Sequence, residues 1–293
     1  MKRALPLLVL LLLPVVAQGA REPTYRVLLP VFFDQPVPGA FGSMWKTAYA
    51  VNNSTPHGFH VDWCPGSEDP FFDVCTLPLI SNAAIGPGET ETTLPPFSSE
   101  QRVLNDRGGP RLLYIRPFNQ PPQPVAWPSV LSFALRAFDV SRSETNAGTE
   151  VPVVREEQFR KSTTTLLNVP VHPSFRLTFR LYELNLKVAG FTVRIFDQET
   201  NRLVGEKDLV LSWHFAHHWV KMFEPPHLQI GDIRELLPAG ATLPQTMRIE
   251  IQPRSQGSEF WAFVSITNNE TQQVTIVAPD GRGGLACNPC QVK

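Results

Sequence analysis

Short runs of alternating apolar and polar residues are the feature that most constrains the fold of this 293-residue chain. The clearest runs are RLTFRLY at 176–182, FTVRI at 191–195 and MRIEIQ at 247–252. A period of two places the apolar side chains on one face of an extended strand and the polar ones on the other. Such strands are typical of antiparallel sheets with one buried face, so we predict an all-β protein. The predicted core of its C-terminal half is Leu177, Phe179, Leu181, Val193, Ile195, Ile249 and Ile251.

Turn residues separate these runs. The chain has 29 prolines and 18 glycines, and clusters such as GPG at 86–88 and QPPQP at 120–124 interrupt the apolar pattern. No long stretch repeats with a helical period, and single turns at 98–104 and 232–237 are the best helical candidates. Many short strands with this punctuation favour β-sandwiches.

The chain is long enough for two such domains. A charged segment at 155–162 separates two sets of predicted strands. We therefore predict two tandem immunoglobulin-like β-sandwich domains, at 21–160 and 161–280, followed by a Gly/Cys tail at 281–293. Strands that end in Asn52-Asn53 and Asn268-Asn269 have similar sequences, which is a sign of duplication.

Residues 1–20 have the pattern of a signal peptide. Lys2 and Arg3 precede an apolar run from 4 to 17, and small residues follow. We expect a secreted, periplasmic or cell-surface protein; an uncleaved signal anchor is the alternative. No later stretch has 18 consecutive apolar residues, so no membrane insertion of the mature chain is expected.

The charge balance argues against nucleic acid as a partner. The chain has 26 basic and 27 acidic residues, a net charge of −1, and therefore no strong field that would attract a polyanion. A protein or polysaccharide partner of unknown identity is expected instead.

Four cysteines are an even number, as disulfides in an exported chain require. Four cysteines can form two disulfides in three ways. One of them joins Cys64 to Cys75 and Cys287 to Cys290, and the other two ways remain open. The Cys287-Asn-Pro-Cys290 motif resembles a redox motif, but only three residues follow it, too few for the helix that lowers the thiol pKa.

The segment WHFAHHW at 213–219 is the most unusual in composition. On a strand, Trp213, Phe215, His217 and Trp219 share one face, and these are our candidate ligand-binding residues. Aromatic rings in a row can stack on sugars, although packing between sheets is the simpler interpretation. A metal site that uses His214, His217 or His218 is the third alternative. Two His residues four apart could chelate one ion on a helix, but on a strand they lie too far apart to do so.

Several stretches resemble uncharacterised exported proteins of soil bacteria such as acidobacteria, built from tandem immunoglobulin-like domains. They are LPVF at 29–32, GSMWKT at 42–47, AGTEVPVV at 147–154 and FWAFVSITNN at 260–269. The resemblance implies the fold and export, and it supplies no catalytic residues.

Local catalytic motifs are missing from the sequence, including G-x-S-x-G, the P-loop and H-E-x-x-H. We therefore expect no catalytic residues, no metal and no cofactor. The expected function is extracellular or cell-surface interaction or structure by a non-enzymatic β-sandwich protein. The alternatives are a carbohydrate-binding module and, less favoured, a metal-dependent hydrolase.

Overall fold

The protein is all-β. Its computed structural model describes residues 25–33, 35–62, 83–92, 109–117, 131–142, 148–185, 187–212 and 224–279. Within these ranges the only helical elements are short 3₁₀ turns, and every strand pairing is antiparallel. The described part of the chain contains no helix long and apolar enough to cross a membrane.

The strands fall into an N-terminal and a C-terminal series. The N-terminal strands are β1 Tyr25–Phe32, β2 Val37–Pro38, β3 Met44–Asn53, β4 Phe59–Asp62, β5 Ala83–Ile85, β6 Thr90–Glu91, β7 Gly109–Pro117, β8 Leu131–Asp139, β9 Thr149–Glu150 and β10 Val154–Arg155. The C-terminal strands are β11 Thr164–Pro170, β12 Phe175–Glu183, β13 Ala189–Asp197, β14 Leu203–Leu211, β15 His227–Ile230, β16 Thr246–Pro253, β17 Phe260–Asn268 and β18 Val274–Val277.

These strands form four sheets. Sheet A has the order β10-β1-β7-β4-β5, and sheet B has the order β2-β3-β8-β9 with β6 also paired to β3. Sheet C has the order β15-β12-β17-β18, and sheet D has the order β11-β16-β13-β14. All strands of sheets A and B precede residue 156, and all strands of sheets C and D follow residue 163.

Each pair of sheets encloses an apolar core, as in a β-sandwich. Between sheets A and B lie side chains such as Leu29, Leu113 and Leu135. Between sheets C and D lies a larger cluster that includes all seven residues predicted from the alternating runs, so that prediction is confirmed. The period-two pattern identified these residues because each of their strands turns one face to this core.

The two sheet pairs have the same strand order. When β2 and β10 are set aside, β1-β7-β4-β5 corresponds to β11-β16-β13-β14, and β6-β3-β8-β9 corresponds to β15-β12-β17-β18. The similar sequences that end at Asn53 and Asn268 do not follow this correspondence, because β3 matches β12 rather than β17. They share turn chemistry instead: Asn53 Oδ1 accepts a hydrogen bond from the Thr55 amide, and Asn268 Oδ1 accepts one from the Thr271 amide.

A third apolar cluster joins the two pairs. Leu28 and Tyr114 on the outer face of sheet A pack with Tyr182, Trp261 and Phe263 on the outer face of sheet C. The Tyr182 hydroxyl also donates a hydrogen bond of 2.7 Å to the carbonyl of Pro30. The sheets are therefore stacked in the order B, A, C, D, and the two middle sheets are covered on both faces.

The charged segment at 155–162 is attached to both pairs. Its 3₁₀ turn Glu156–Gln158 places Glu156 against Arg26 of β1. Phe159 is buried in the third cluster, and Arg160 forms a bridge to Phe260 of β17. The acidic side chains of this segment contact β1, because Glu156 pairs with Arg26 and Glu157 accepts a hydrogen bond from the Tyr25 hydroxyl.

The single turn predicted at 232–237 is confirmed as the 3₁₀ turn Ile233–Leu236. Asp232 accepts a hydrogen bond from the Arg234 amide at its start, as an N-cap does. The other candidate turn, at 98–104, lies outside the described residues. So do Cys64, Cys75, Cys287 and Cys290, and the disulfides therefore stay predictions.

A cationic cleft at the junction of the sheet pairs

The aromatic residues selected from the sequence lie outside the described residues. This holds for Trp213, Phe215, His217 and Trp219, and also for His214 and His218. The aromatic ligand-binding face and the metal alternative therefore stay predictions. In the described part of the chain, no group of three or more His, Cys, Asp or Glu side chains is placed to hold a metal ion.

A cleft of about 300 Å³ lies where the two sheet pairs meet. One wall comes from the N-terminal pair, with Trp45 and the turn around Gly39. The other wall is the outer face of sheet C, with Arg176, Arg180 and Ser265. The cleft begins where the third apolar cluster ends, since Phe263 belongs to both.

Arg180 is the best-positioned charged group in the cleft. Its Nε donates to Gln229 Oε1 at 3.2 Å, and its Nη1 donates to Ser265 Oγ at 2.9 Å. Its guanidinium carbon lies 5.5 Å from the centre of the Phe263 ring, a cation–π distance. No carboxylate of the described residues is paired with Arg180. The guanidinium is thus held in place by neutral groups, and its charge is not neutralised by them.

Arg176 lies four residues earlier on β12 and points to the same side of the sheet. Its Nη2 donates to Gln272 Oε1 at 2.6 Å, and its guanidinium carbon lies 5.2 Å from the centre of the Phe41 ring. It also has no paired carboxylate within the described ranges. Phe41 is 67% exposed and has a φ of 55°, a left-handed conformation that is rare for a bulky residue. Such strain often accompanies functional sites.

Trp45 is held against the turn that forms the rim of the cleft. Its Nε1 donates to Ser43 Oγ at 3.0 Å, and Ser43 Oγ donates to the carbonyl of Ala40 at 2.8 Å. Gly39 is required at this position because a Cβ there would lie 2.3 Å from Ser43 Oγ and 2.5 Å from Trp45 Nε1. The indole position therefore depends on the absence of a side chain at residue 39.

Burial lowers the pKa of both cleft arginines. The cause for each is desolvation, and for Arg180 the nearby Tyr182 partly opposes it. The guanidinium groups remain protonated at any physiological pH, because arginine is not deprotonated in proteins. The cause of the shift is the partial loss of solvent around each positive charge.

The described lining residues can bind a ligand but have little capacity for proton transfer. The polar groups are two guanidinium groups, the hydroxyls of Thr178, Ser265 and Thr267, and the Gln229 amide. None of these groups titrates near neutral pH. The arrangement suits recognition of an anion or a polar molecule rather than general acid–base chemistry.

The sequence contained only a weak signal for this cleft. Arg176 and Arg180 occupy the polar positions of the RLTFRLY run, and such positions are ordinarily solvated. Their special environment depends on the outer face of sheet C meeting the N-terminal pair, which no local pattern specifies.

These features define an all-β protein of two stacked sheet pairs with a cationic cleft at their junction. Comparison with known proteins found no matching family model, no similar curated protein and no similar solved structure.

Proposed function

We propose that this protein is an exported, non-enzymatic binding protein, made of two tandem immunoglobulin-like domains, that holds a ligand in the junction cleft. The observation that carries the proposal is the pair of half-buried arginines, Arg176 and Arg180, which face the cleft without a carboxylate partner among the described residues. A desolvated charge without a partner is costly, and a bound anion would remove that cost.

The strand order supports the immunoglobulin-like part of the proposal. An immunoglobulin sandwich places its second strand beside its fifth strand in one sheet and its third strand beside its sixth in the other. Here β12 lies beside β15, and β13 lies beside β16. The first and seventh strands are placed differently, because β11 pairs with β16 and β17 pairs with β12. The domain boundaries that go with this proposal are 21–160 and 161–280.

Export is the second part of the proposal, and it depends on the signal-like sequence at 1–20. The test is to express the full chain in a bacterial host and to determine the N-terminus of the protein recovered outside the cytoplasm. We expect a new N-terminus within the small-residue zone that ends near residue 20. Full-length protein retained in the cytoplasm would overturn this part.

The binding part is tested with the protein purified after export. Its tryptophan fluorescence is titrated with a library of neutral sugars, sugar acids, polysaccharide fragments and peptides. Two double variants separate the candidate sites: Arg176→Gln with Arg180→Gln in the cleft, and Trp213→Ala with Trp219→Ala on the predicted aromatic face. Binding that only the arginine variant abolishes supports the cleft.

Other outcomes are equally informative. Binding that only the tryptophan variant abolishes would assign the ligand to the aromatic face and make the carbohydrate-binding module the better function. No binding across the library would overturn ligand binding in the cleft. Turnover on a broad hydrolase panel would overturn the non-enzymatic part.

A further inference from the structure

The geometry of the cleft points to a sugar-sized hydroxylated carboxylate as its ligand, held by a two-point contact of the carboxylate with the Arg180 guanidinium. This inference deepens the proposed function and rests on it. Three observations support it: the free edge of the Arg180 guanidinium, the hydroxyl and amide groups around it, and the volume of the cleft.

The free edge follows from a count of hydrogen-bond donors. An arginine guanidinium has five N–H groups, and described protein groups accept from one on Nε and one on Nη1 of Arg180. Three N–H groups therefore have no acceptor among the described residues, and both Nη atoms carry at least one of them. Two parallel N–H groups on neighbouring Nη atoms match the two oxygens of a carboxylate.

The neighbouring groups fix the orientation of that edge. Gln229 and Ser265 hold two of the nitrogens, and the Phe263 ring lies against the guanidinium. A guanidinium restrained in this way loses little freedom when a planar anion binds. The arrangement therefore favours a planar carboxylate with a defined direction over a spherical or freely rotating anion.

The polar groups around Arg180 suit ligand hydroxyls. Thr178 Oγ1 already donates to the carbonyl of Gly231 at 3.2 Å, and its oxygen can accept a hydrogen bond from a ligand. Ser265 Oγ accepts from Arg180, so its own proton can be donated to a ligand. Thr267 lies two residues further on the same strand and faces the same way, opposite Arg176. A carboxylate without hydroxyls would leave these groups unused.

The Arg176 guanidinium has other neighbours than the Arg180 guanidinium, so we expect it to contact a different part of the ligand. Four residues along a strand correspond to about 13 Å between Cα atoms. Its remaining N–H groups lie at the rim, beside Phe41. A ligand of one sugar ring in a cleft of about 300 Å³ would meet Arg180 first and Arg176 with its outer hydroxyls. Substitution of Arg176 is therefore expected to weaken binding less than substitution of Arg180.

The test uses sodium glucuronate as the probe, with three comparison compounds. Glucose has the hydroxyls without the carboxylate, acetate has the carboxylate without the hydroxyls, and sulfate is a tetrahedral anion. Binding to the exported protein is measured by calorimetry at fixed ionic strength. We expect glucuronate to bind at least tenfold more tightly than each of the three.

The variants are Arg180→Gln, Arg180→Lys and Arg176→Gln, with Arg194→Gln as the matched control. Arg194 lies on β13 in the outer face of sheet D, remote from the cleft lining, and its substitution removes the same charge. Loss of charge-assisted hydrogen bonds is expected to weaken glucuronate binding about 10–100-fold in Arg180→Gln. Arg180→Lys keeps the charge but loses the planar edge, so it should also weaken binding at least tenfold. Arg194→Gln should bind as the parent does.

Circular dichroism and the thermal midpoint establish whether each variant is folded. If Arg180→Gln does not fold, the exposed-rim variant Arg176→Gln still tests the site, with an expected few-fold loss of glucuronate affinity.

Sulfate binding as tight as glucuronate binding would overturn the carboxylate class of ligand, while the proposed binding function would stand. Equal binding by Arg180→Lys and the parent would overturn the two-point contact. Binding of neutral sugars alone would overturn the anionic ligand but not the proposed function, whereas no binding of any library compound would overturn both.

Discussion

The outer faces of sheets C and D carry arginines in the same sequence pattern but in opposite environments. On sheet D, Arg194 pairs with Glu206, and Arg254 pairs with Asp208. On sheet C, Arg180 donates only to neutral oxygens among the described residues. The strands β12 and β13 that carry Arg180 and Arg194 both alternate apolar and polar residues, so the difference arises from what covers each face.

The outer face of sheet D is exposed to solvent, whereas the N-terminal sheet pair covers part of the outer face of sheet C. Exposed ion pairs contribute about 0–1 kcal/mol each to stability, and their arrangement mainly keeps the face soluble. An arginine that is partly desolvated and has no counter-ion is different, because the loss of solvent around its charge opposes folding. The unusual feature of this protein is a partly covered sheet face with positive charges that have no paired carboxylate among the described residues.

The largest expected effect is the loss of the Trp261 side chain. Trp261 is 4% exposed and lies in the third cluster, with its ring centre 5.2 Å from that of Phe263. Trp261→Ala should lower the free energy of unfolding by about 3–5 kcal/mol, because it leaves a cavity between the sheet pairs. Val210→Ala, at a 62% exposed position of sheet D, should change it by less than about 0.5 kcal/mol. Urea unfolding followed by circular dichroism measures both. Similar small losses would show that the two outer faces are equally exposed in solution.

A second prediction concerns the turn that faces sheet C. Gly39→Ala should lower the free energy of unfolding by about 1–3 kcal/mol, because the new methyl group would overlap Ser43 and displace the Trp45 indole. Gly190→Ala on β13 is the matched control, since its Cβ would meet Arg254 and Ser255 at an ordinary 3.7 Å. A shift of the tryptophan emission in the Gly39 variant alone reports the displaced ring. An unchanged spectrum in that variant would mean that the indole is not held by the turn.

A third prediction tests the hydrogen bond between the sheet pairs. Tyr182→Phe removes the hydroxyl that donates to the Pro30 carbonyl, and it should lower the free energy of unfolding by about 1 kcal/mol. Thr192→Val is its counterpart on sheet D, where it removes a hydrogen bond to Asp208, whose side chain is 56% exposed. Water can replace the lost partner of Asp208, so Thr192→Val should lower the free energy of unfolding less than Tyr182→Phe does. A larger cost for the Thr192 variant would contradict this account.

The smallest expected effect is a change in pH dependence. Burial raises the pKa of Glu183 above its ordinary 4.5, although hydrogen bonds from nearby amides such as Lys187 N partly oppose it. The folded chain therefore holds this proton more tightly than the unfolded chain does, and stability falls as the pH rises from about 4.5 through the folded-state pKa. Glu183→Gln should flatten this fall, as measured by urea unfolding between pH 4 and 8. Glu206→Gln, on the exposed face, is the control, and an equal flattening in that variant would remove Glu183 as the cause.

The sequence predicted the parts of the fold that depend on local periodicity. Leu177, Phe179 and Ile249 were predicted as core residues because polar residues alternate with them along their strands, which indicates that the apolar face is the buried one. The strand Phe260–Asn268 has no such alternation, since Trp261 and Phe263 are as buried as their neighbours. A continuous apolar run of this kind indicates a strand covered on both faces, but it does not say which sheet supplies the second cover.

The candidate site was less predictable for the same reason. Arg180 was treated as a surface residue because it alternates with Phe179 and Leu181. Its partner Ser265 is close to it only through the pairing of β12 with β17, and Trp45 reaches the cleft from the other sheet pair. The segment at 213–219 is unusual in its local composition, whereas the cleft consists of common residue types that only the tertiary structure brings together.

The stacking of sheet A on sheet C joins faces that are not equivalent. By strand order, sheet A corresponds to sheet D and sheet C corresponds to sheet B, so the contact is head-to-tail. Head-to-tail contacts do not close on themselves, and a further copy could in principle add to either end. The outer face of sheet D carries the exposed arginine–carboxylate pairs Arg194–Glu206 and Arg254–Asp208. The outer face of sheet B carries Ala48, Ala50, Ser132, Ala134 and Arg136, together with the half-buried Phe138. Because sheet D exposes charged pairs where the corresponding sheet A buries Leu28 and Tyr114, the contact between sheets A and C has no counterpart of the same chemistry on sheet D.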